Sequence, residues 1–343
     1  MKIKAVFLLG VILVLISVSL LADERQDLWL KAAAEKDLTL RLRYFEEFME
    51  KYGQREDKSS KFLYFNLATT AFQLKEFTKA IGYAEKALTF DDVDGNSKIQ
   101  LYLLLANSYY LTQTDIDKAY SYAGLVVEFG QSIKENTPET NRSKQLNETL
   151  DKNFIAPALR IQTRILYARG KDDPETMMEA AKKALDAYGF DRSQNSAELV
   201  LRFAYNISKM GKIDEAIRLV EQLPDPSMKA YQMLANWYYK KGVKEKAVEN
   251  FTRYYEGSEK NENAAKTALV IGQLLSKKDK TRAAGYFAEA YLLSNSDKES
   301  KAFKYLQQLW YNEIAKGKPR EEQDSGFQEM ISAARERLGP NVP

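Results

Sequence analysis

The side chains that most often carry enzyme chemistry are missing from this sequence. The chain has 343 residues and contains neither cysteine nor histidine. This excludes thiolate nucleophiles, disulfides, a catalytic imidazole and every zinc site built on Cys or His. Catalysis would then depend on carboxylates, on serine with lysine, or on tyrosine, and no signature brings such groups together. We therefore predict that the protein is not an enzyme, and we assign it no catalytic, cofactor-binding or metal-binding residue.

Two short segments carry side chains suited to binding another molecule. Residues 106–110 have the sequence ANSYY and residues 235–239 have the sequence ANWYY. An exposed asparagine offers a peptide backbone both a donor and an acceptor, and tyrosine adds a wide amphipathic contact. The alternative is that the tyrosines pack between helices, as aromatic residues in helical repeats commonly do. The candidate binding residues in these segments are Asn107, Tyr110, Asn236 and Tyr239.

A third segment, DDVDGNS (91–97), has the acidic and amide side chains of a calcium-binding loop. Such a loop would need glycine and glutamate at the places that Ser97 and Leu103 occupy. The spacing therefore favours a linker whose polar side chains cap the next helix.

The elements that position these residues are clearest at residues 62–90, FLYFNLATTAFQLKEFTKAIGYAEKALTF. Apolar residues recur at three- and four-residue steps on both sides of LKEFT, which predicts two helices joined by a turn. Small residues mark the faces where the two helices meet, because antiparallel helices approach to roughly 8–10 Å only where contacting side chains are small. These small residues are Ala68, Ala80, Ala84 and Ala87.

This unit resembles a tetratricopeptide repeat, a helical hairpin of about 34 residues. The residues that carry the resemblance are Tyr64, Leu67, Ala68, Phe77, Ala80 and Ala87. Related patterns recur along the chain, and residues 228–257 are the second-best match. The resemblance implies an all-α fold, a solenoid of antiparallel helical hairpins wound into a right-handed superhelix.

The predicted solenoid covers residues 23–343 and contains about eight hairpins, the first and last of them atypical. Residues 130–152 are polar and lack a sustained apolar stripe, so we interpret them as an insertion that is partly loop and partly an exposed helical extension. Asp173 and Pro174 predict a helix start, because proline is tolerated in the first turn.

The resemblance also implies where a partner would bind, since the first helices of such hairpins line the concave surface of the superhelix. Asn107, Tyr110, Asn236 and Tyr239 then fall at groove positions, while Tyr109 and Tyr238 fall in the core. Phe65 and Phe72 of the best repeat would also face the groove, which favours an apolar ligand stretch or a neighbouring segment as their contact.

Residues 1–22 have the pattern of a secretory leader, with Lys2 and Lys4 before an uncharged run. The run is long enough for either a cleaved signal peptide or an uncleaved N-terminal signal anchor. Both predict export: a periplasmic or secreted protein, or one that is membrane-anchored and faces out of the cytoplasm. RYFEEFMEKYG (43–53) resembles helix ends in repeat proteins of bacterial envelope assembly, such as outer-membrane assembly lipoproteins and the coordinator of the Tol-Pal system.

The charge balance bears on the class of partner. The formal net charge is +3, so no strong basic excess recruits nucleic acid. We predict a protein or peptide partner, with membrane contact only through residues 5–22 if the leader stays attached. The leading hypothesis is a non-catalytic scaffold of the cell envelope. The alternative is a structural or oligomerising envelope-assembly component, and an envelope enzyme or glycan-binding protein ranks third.

Overall fold

The structure, a computed structural model, describes residues 24–53, 60–138 and 140–340, and every regular element in these ranges is a helix. The predicted leader, residues 1–22, lies outside the described residues. In the first part of the chain the helices are α1 (24–34), α2 (Leu38–Tyr52), α3 (Ser60–Gln73), α4 (Phe77–Leu88), α5 (Gly95–Thr112), α6 (Ile116–Glu135), α7 (Asn141–Leu150), α8 (Ala156–Gly170) and α9 (Pro174–Asp191). They continue with α10 (Gln194–Lys209), α11 (Ile213–Glu221), α12 (Met228–Lys240), α13 (Lys244–Gly257), α14 (Glu262–Leu275), α15 (Lys280–Leu293), α16 (Lys301–Leu309) and α17 (Arg320–Leu338). The prediction of an all-α array of helical hairpins is confirmed.

Most of these helices pair with their neighbour in sequence. The most extensive helix contacts join α3 to α4, α5 to α6, α8 to α9, α12 to α13 and α14 to α15. In each pair we call the earlier helix the first helix and the later one the second helix, and we extend the terms to α1/α2, α10/α11 and α16/α17. The short α7 lies outside this pairing.

The small residues of the best repeat lie where the sequence predicts them. Ala68, Ala80, Ala84 and Ala87 are all fully buried between helices. Alanine leaves only a methyl group at each contact, so the backbones of α3 and α4 can pack closely. A bulkier side chain at one of these positions would push the pair apart at a cost of roughly 1–3 kcal/mol.

The turns within three hairpins share one backbone feature. The residue two places before the second helix has a positive φ: +81° at Gly211, +74° at Gly242 and +63° at Lys75. Glycine adopts this left-handed conformation freely, whereas a side chain is strained there by roughly 1–2 kcal/mol. Lys75 therefore carries strain in a turn where two other repeats have glycine.

Replacing Lys75 with glycine should stabilise the protein. We expect Lys75→Gly to raise the free energy of unfolding by roughly 0.5–1 kcal/mol, because strain is removed and glycine's unfolded-state entropy offsets only part of the gain. Urea denaturation measures this. The control is Lys182→Gly within α9, which should lose about 1 kcal/mol because glycine weakens a helix interior. Destabilisation by Lys75→Gly would contradict the conformation of this turn.

Polar residues cap the helices near the linkers. Asp94 precedes α5 and its carboxylate accepts the Ser97 amide at 3.0 Å, as expected of a capping linker. Hydrogen bonds from the Ser97 hydroxyl and amide lower the pKa of Asp94. Asp173 likewise accepts the Thr176 amide at 2.9 Å and α9 begins at Pro174, which confirms the helix start predicted there.

The segment interpreted as an insertion, 130–152, is largely helical. Residues 130–135 complete α6, α7 follows, and a π-helical turn, Asp151–Ile155, leads into α8. Leu150 is buried, and Lys134 forms an ion pair of 2.7 Å with Asp151. Leu146 in the middle of the segment also packs against the core, so the segment is tied to the rest of the unit although it lacks a long apolar stripe.

The described chain divides into two compact units, one ending at Val200 and the other beginning at Leu201, with the boundary inside α10. The largest fully buried side chains of the first unit include Phe45, Leu67 and Leu105, and those of the second include Phe203 and Phe287. Among the residues that the structure covers, no helix combines the length and apolar character needed to cross a bilayer.

Candidate functional site

Large apolar side chains that remain exposed are concentrated on the first helices. In the described part of the chain, ten such side chains are more than a third exposed, and seven of them lie on first helices. Exposed aromatic side chains are enriched at surfaces that bind other proteins. The seven are Leu30, Phe62, Leu111, Tyr205, Met228, Tyr239 and Tyr305.

In the first unit the predicted aromatic residues of α3 are only partly accessible. Phe65 and Phe72 are half-buried and pack against the core of the unit. Phe72 also contacts Phe77 edge to face, with ring centroids 5.6 Å apart. The most exposed aromatic residue of α3 is Phe62, which is 47% exposed.

The other two predicted residues of this unit lie on α5. Asn107 is half-buried, and its Nδ2 donates to the Leu103 carbonyl at 2.9 Å. Tyr110 is half-buried and packs against the core, and its backbone carbonyl accepts a hydrogen bond from Gln113 Nε2. Asn107 can still accept a hydrogen bond through Oδ1, because an amide carbonyl has its own lone pairs.

The predicted pair in the second unit is more exposed. Asn236 is exposed, and its Nδ2 donates to the Gln232 carbonyl at 2.7 Å, one helical turn back as in Asn107. Tyr239 is 53% exposed and contacts Phe251 edge to face at 6.5 Å between centroids. The shared ANxYY sequence therefore gives the asparagine the same hydrogen bond in both units. The last tyrosine differs, because Tyr239 is more exposed than Tyr110.

Tyr109 and Tyr238 are 6% exposed, as predicted for core residues, and each hydroxyl lies in a polar cluster of the same design. Tyr109 donates to Glu85 Oε1 at 2.7 Å, and Lys118 Nζ lies 3.0 Å from the same hydroxyl and 3.1 Å from Glu85. The cluster joins α4, α5 and α6, so it links one hairpin to the next.

The second unit repeats this cluster with Tyr238, Glu221 and Lys246, which join α11, α12 and α13. Tyr238 donates to Glu221, and Lys246 Nζ lies 2.9 Å from the hydroxyl and 3.2 Å from the carboxylate. Burial, followed by the hydrogen bond to glutamate, raises the pKa of both tyrosines. Hydrogen bonds to tyrosine and glutamate raise the pKa of both lysines.

A related pair occurs earlier in the first unit. Lys79 lies 2.9 Å from Glu46, and Tyr83 donates to the same carboxylate at 3.0 Å, so α4 is tied to α2. Burial raises the pKa of Tyr83 to about 12. Sequence analysis missed these clusters, although one signal was available: a lysine directly precedes the buried alanine at the fourth position of the second helix. The three dipeptides are Lys79-Ala80, Lys118-Ala119 and Lys246-Ala247.

Removing the hydroxyl of either buried tyrosine should destabilise its unit. We expect Tyr109→Phe and Tyr238→Phe each to lower the free energy of unfolding by about 1 kcal/mol, the typical net value of a hydrogen bond. Urea denaturation tests this. The matched control is Tyr239→Phe, whose hydroxyl is on an exposed side chain and which should change stability by less than about 0.5 kcal/mol. Equal losses at all three positions would contradict a specific role for the clusters.

The described residues contain no group of three His, Cys, Asp or Glu side chains arranged to hold a metal ion. What the first-helix surfaces offer is amide hydrogen bonding beside exposed aromatic rings. Such groups can recognise a ligand through surface contact and hydrogen bonds.

The chain is similar to several solved structures. No family model matches the chain, and no curated protein matches it. A tetratricopeptide repeat protein from Parabacteroides merdae ATCC 43184 is 16% identical with a TM-score of 0.40, over 91% of this chain and 99% of that one. The P58(IPK) TPR domain is 16% identical with a TM-score of 0.30, over 92% and 97%. The DHF58 filament is 17% identical with a TM-score of 0.22, over 81% and 97%.

The fold of the described chain is defined by its own hairpins. Alanines are buried between the two helices of the best repeat, positive-φ turns recur at one position, and Tyr-Glu-Lys clusters recur between successive hairpins. Together with the repeat pattern in the sequence, these features make the described chain an all-α protein of repeated helical hairpins.

Proposed function

We propose that this protein is an exported, non-catalytic scaffold that binds a protein or peptide on the surfaces of its first helices. The observation that carries the proposal is the concentration of exposed large apolar side chains on those helices. Burial of such side chains by a partner would release free energy of about 25 cal/mol per Å² of apolar area. The absence of cysteine and histidine from the sequence agrees with a binding role.

Asn107 and Asn236 would supply the polar part of recognition in their respective units. Each amide nitrogen already donates within its own helix, which holds the side chain in one rotamer. The Oδ1 atom is then oriented before the partner arrives, and it can accept a backbone N–H of an extended peptide. Tyr110 and Tyr239 each lie one turn beyond the asparagine of the same helix, so each would add an aromatic contact next to that asparagine in its own unit.

We place the scaffold in the cell envelope on the basis of the leader pattern at residues 1–22. Export would bring the hairpin array into the periplasm or out of the cell, and an uncleaved leader would hold it at the membrane. Neither location calls for a cofactor, and the sequence provides no Cys or His to hold a metal there.

The test is affinity capture from envelope fractions followed by mass spectrometry. The bait is the chain itself, compared with a variant that combines Asn107→Ala, Tyr110→Ala, Asn236→Ala and Tyr239→Ala. We expect one dominant protein to be captured by the original chain and reduced at least tenfold with the variant. Circular dichroism should show that the variant keeps its helical content.

The control variant combines Leu40→Ala and Leu125→Ala, which removes exposed apolar side chains from second helices. It should capture the partner as well as the original chain does. Equal loss of partner capture with both variants would show that exposed apolar side chains contribute to binding whether they lie on first or second helices. Recovery of the chain alone would instead favour an oligomerising assembly component, a conclusion that solution mass would establish.

A further inference from the structure

A groove of about 760 Å³ lies in the second unit, beside α13 and the turn that connects α14 to α15. One wall is a stripe of α13 that includes Lys244, Val248 and Thr252, spaced four residues apart and therefore on one face of the helix. The opposite wall is the end of α14 and the turn after it. A second cavity of about 400 Å³ adjoins it and shares Gln273, Ser276 and Lys277.

The acidic side chains of this groove are already engaged within the protein. Glu245 pairs with Lys278 at 3.3 Å, and Glu249 pairs with Arg253 at 3.0 Å. Asp279 is the N-cap of α15, and its carboxylate accepts the Arg282 amide at 3.0 Å. These contacts leave little negative charge to attract a basic ligand.

Three basic side chains of the groove have no charged partner among the described residues. Lys244, Lys277 and Arg282 are exposed and form no ion pair with any residue that the structure describes. The walls also carry apolar side chains, Val248 on α13 and Leu274 and Leu275 at the end of α14, which together we call the apolar floor of the groove. Cations above an apolar floor complement a ligand that is both acidic and apolar, because each part of it would find its counterpart.

We propose that this groove binds an acidic, amphipathic segment of a partner protein, at a site separate from the first-helix surfaces. The α13 stripe extends from Lys244 to Arg253, about 14 Å at 1.5 Å per residue, which suits a short helical or extended segment better than a single small anion. Glutamate or aspartate side chains would reach Lys244, Lys277 and Arg282, and leucine-like side chains would cover the floor. The site does not depend on the function proposed above.

The probe is a fluorescent peptide of about nine residues made of Glu-Glu-Leu units, a length set by the α13 stripe. Its binding to the purified chain is measured by anisotropy, with a Gln-Gln-Leu peptide as the uncharged counterpart. The groove variant combines Lys244→Glu, Lys277→Glu and Arg282→Glu. The matched control combines Lys171→Glu, Lys298→Glu and Lys316→Glu, which makes the same change in net charge at exposed lysines outside the groove.

We expect the groove variant to bind the acidic peptide at least tenfold more weakly than the original chain, and the control variant to bind it within twofold. Affinity should fall as salt rises, since exposed charges are screened. Equal binding by the groove variant, or equal loss in both variants, would overturn the proposal. So would equal affinity for the Gln-Gln-Leu peptide, which would assign binding to the apolar floor alone. Full displacement of the peptide by inorganic pyrophosphate at equal concentration would assign the site to small polyanions and reject a peptide.

Discussion

Replacing Phe287 with alanine should lower the free energy of unfolding by about 3–5 kcal/mol, the range for a buried phenylalanine cut back to a methyl group. Phe287 is 2% exposed in α15 and stacks on Tyr305 with centroids 5.5 Å apart. Gly272 of α14 packs directly against it, since a Cβ at position 272 would lie 2.6 Å from the ring. The ring therefore fills a contact among α14, α15 and α16.

Urea denaturation followed by tryptophan fluorescence measures this loss, because Trp237 and Trp310 both lie in the second unit. Phe62→Ala is the control, since that ring is 47% exposed and its loss should cost less than about 1 kcal/mol. Gly272→Ala adds a methyl group that meets the Phe287 ring from α14, and this overpacking should lower the free energy of unfolding by roughly 1–3 kcal/mol. If Phe287→Ala cost no more than Phe62→Ala, the packing described for α14 and α15 would be wrong.

Sequence reasoning succeeded where one residue type at one spacing has a single physical outcome. Ala80, Ala84 and Ala87 recur at helical spacing and have side chains small enough for close helix contact, and all three are fully buried. Asp173 followed by Pro174 combines a capping side chain with a ring tolerated in a first turn, and α9 begins there. Such patterns involve only residues that are close in sequence, so they can be interpreted without knowledge of distant contacts.

The same reasoning was less informative where a residue's role depends on partners far along the chain. Tyr109 was predicted to be buried, but its hydroxyl is satisfied by Glu85, which precedes it by 24 residues. Phe62 is exposed because it lies off the face of α3 that carries the buried Leu63, Leu67 and Ala71, which are spaced four residues apart. The groove beside α13 is formed by segments about 30 residues apart in sequence, and periodicity within one helix does not describe it.

Replacing Arg337 with leucine should destabilise the second unit by about 3 kcal/mol at neutral pH, because it leaves a buried carboxylate without its nearest partner. Arg337 of α17 lies 2.9 Å from Glu289 of α15, and the Glu289 side chain is 8% exposed. Glu289→Leu should lower the free energy of unfolding by less than Arg337→Leu does, since Arg337 is 57% exposed and can be solvated by water once its partner is gone. The double variant with leucine at both positions should recover most of the loss, as replaced buried ion pairs often do.

The pH dependence of the Arg337→Leu variant separates an electrostatic cause from lost packing. Burial already raises the pKa of Glu289 above its usual range, and removal of the arginine charge must raise it further. A carboxyl with a raised pKa binds a proton more readily in the folded state, so folding is favoured below the unfolded-state pKa and loses this contribution as pH rises through the folded-state pKa. The deficit of Arg337→Leu should therefore shrink as pH is lowered from 7 toward 4.5, the ordinary pKa of a glutamate.

Whether α17 stays packed on its unit can be measured in the native state, without unfolding the protein. Trp310 Nε1 donates to the Gln323 carbonyl of α17 at 2.9 Å, and the Trp310 ring lies near Phe327 of the same helix. If the apolar contacts of Phe327 keep α17 in place, replacing Arg337 with leucine should leave the emission of Trp310 in the native state unchanged while the denaturation midpoint falls, as measured in a variant whose other two tryptophans are replaced by phenylalanine. A deficit that is the same at pH 5 and pH 7 would show that the arginine acts through packing of its side chain rather than through the charge of Glu289.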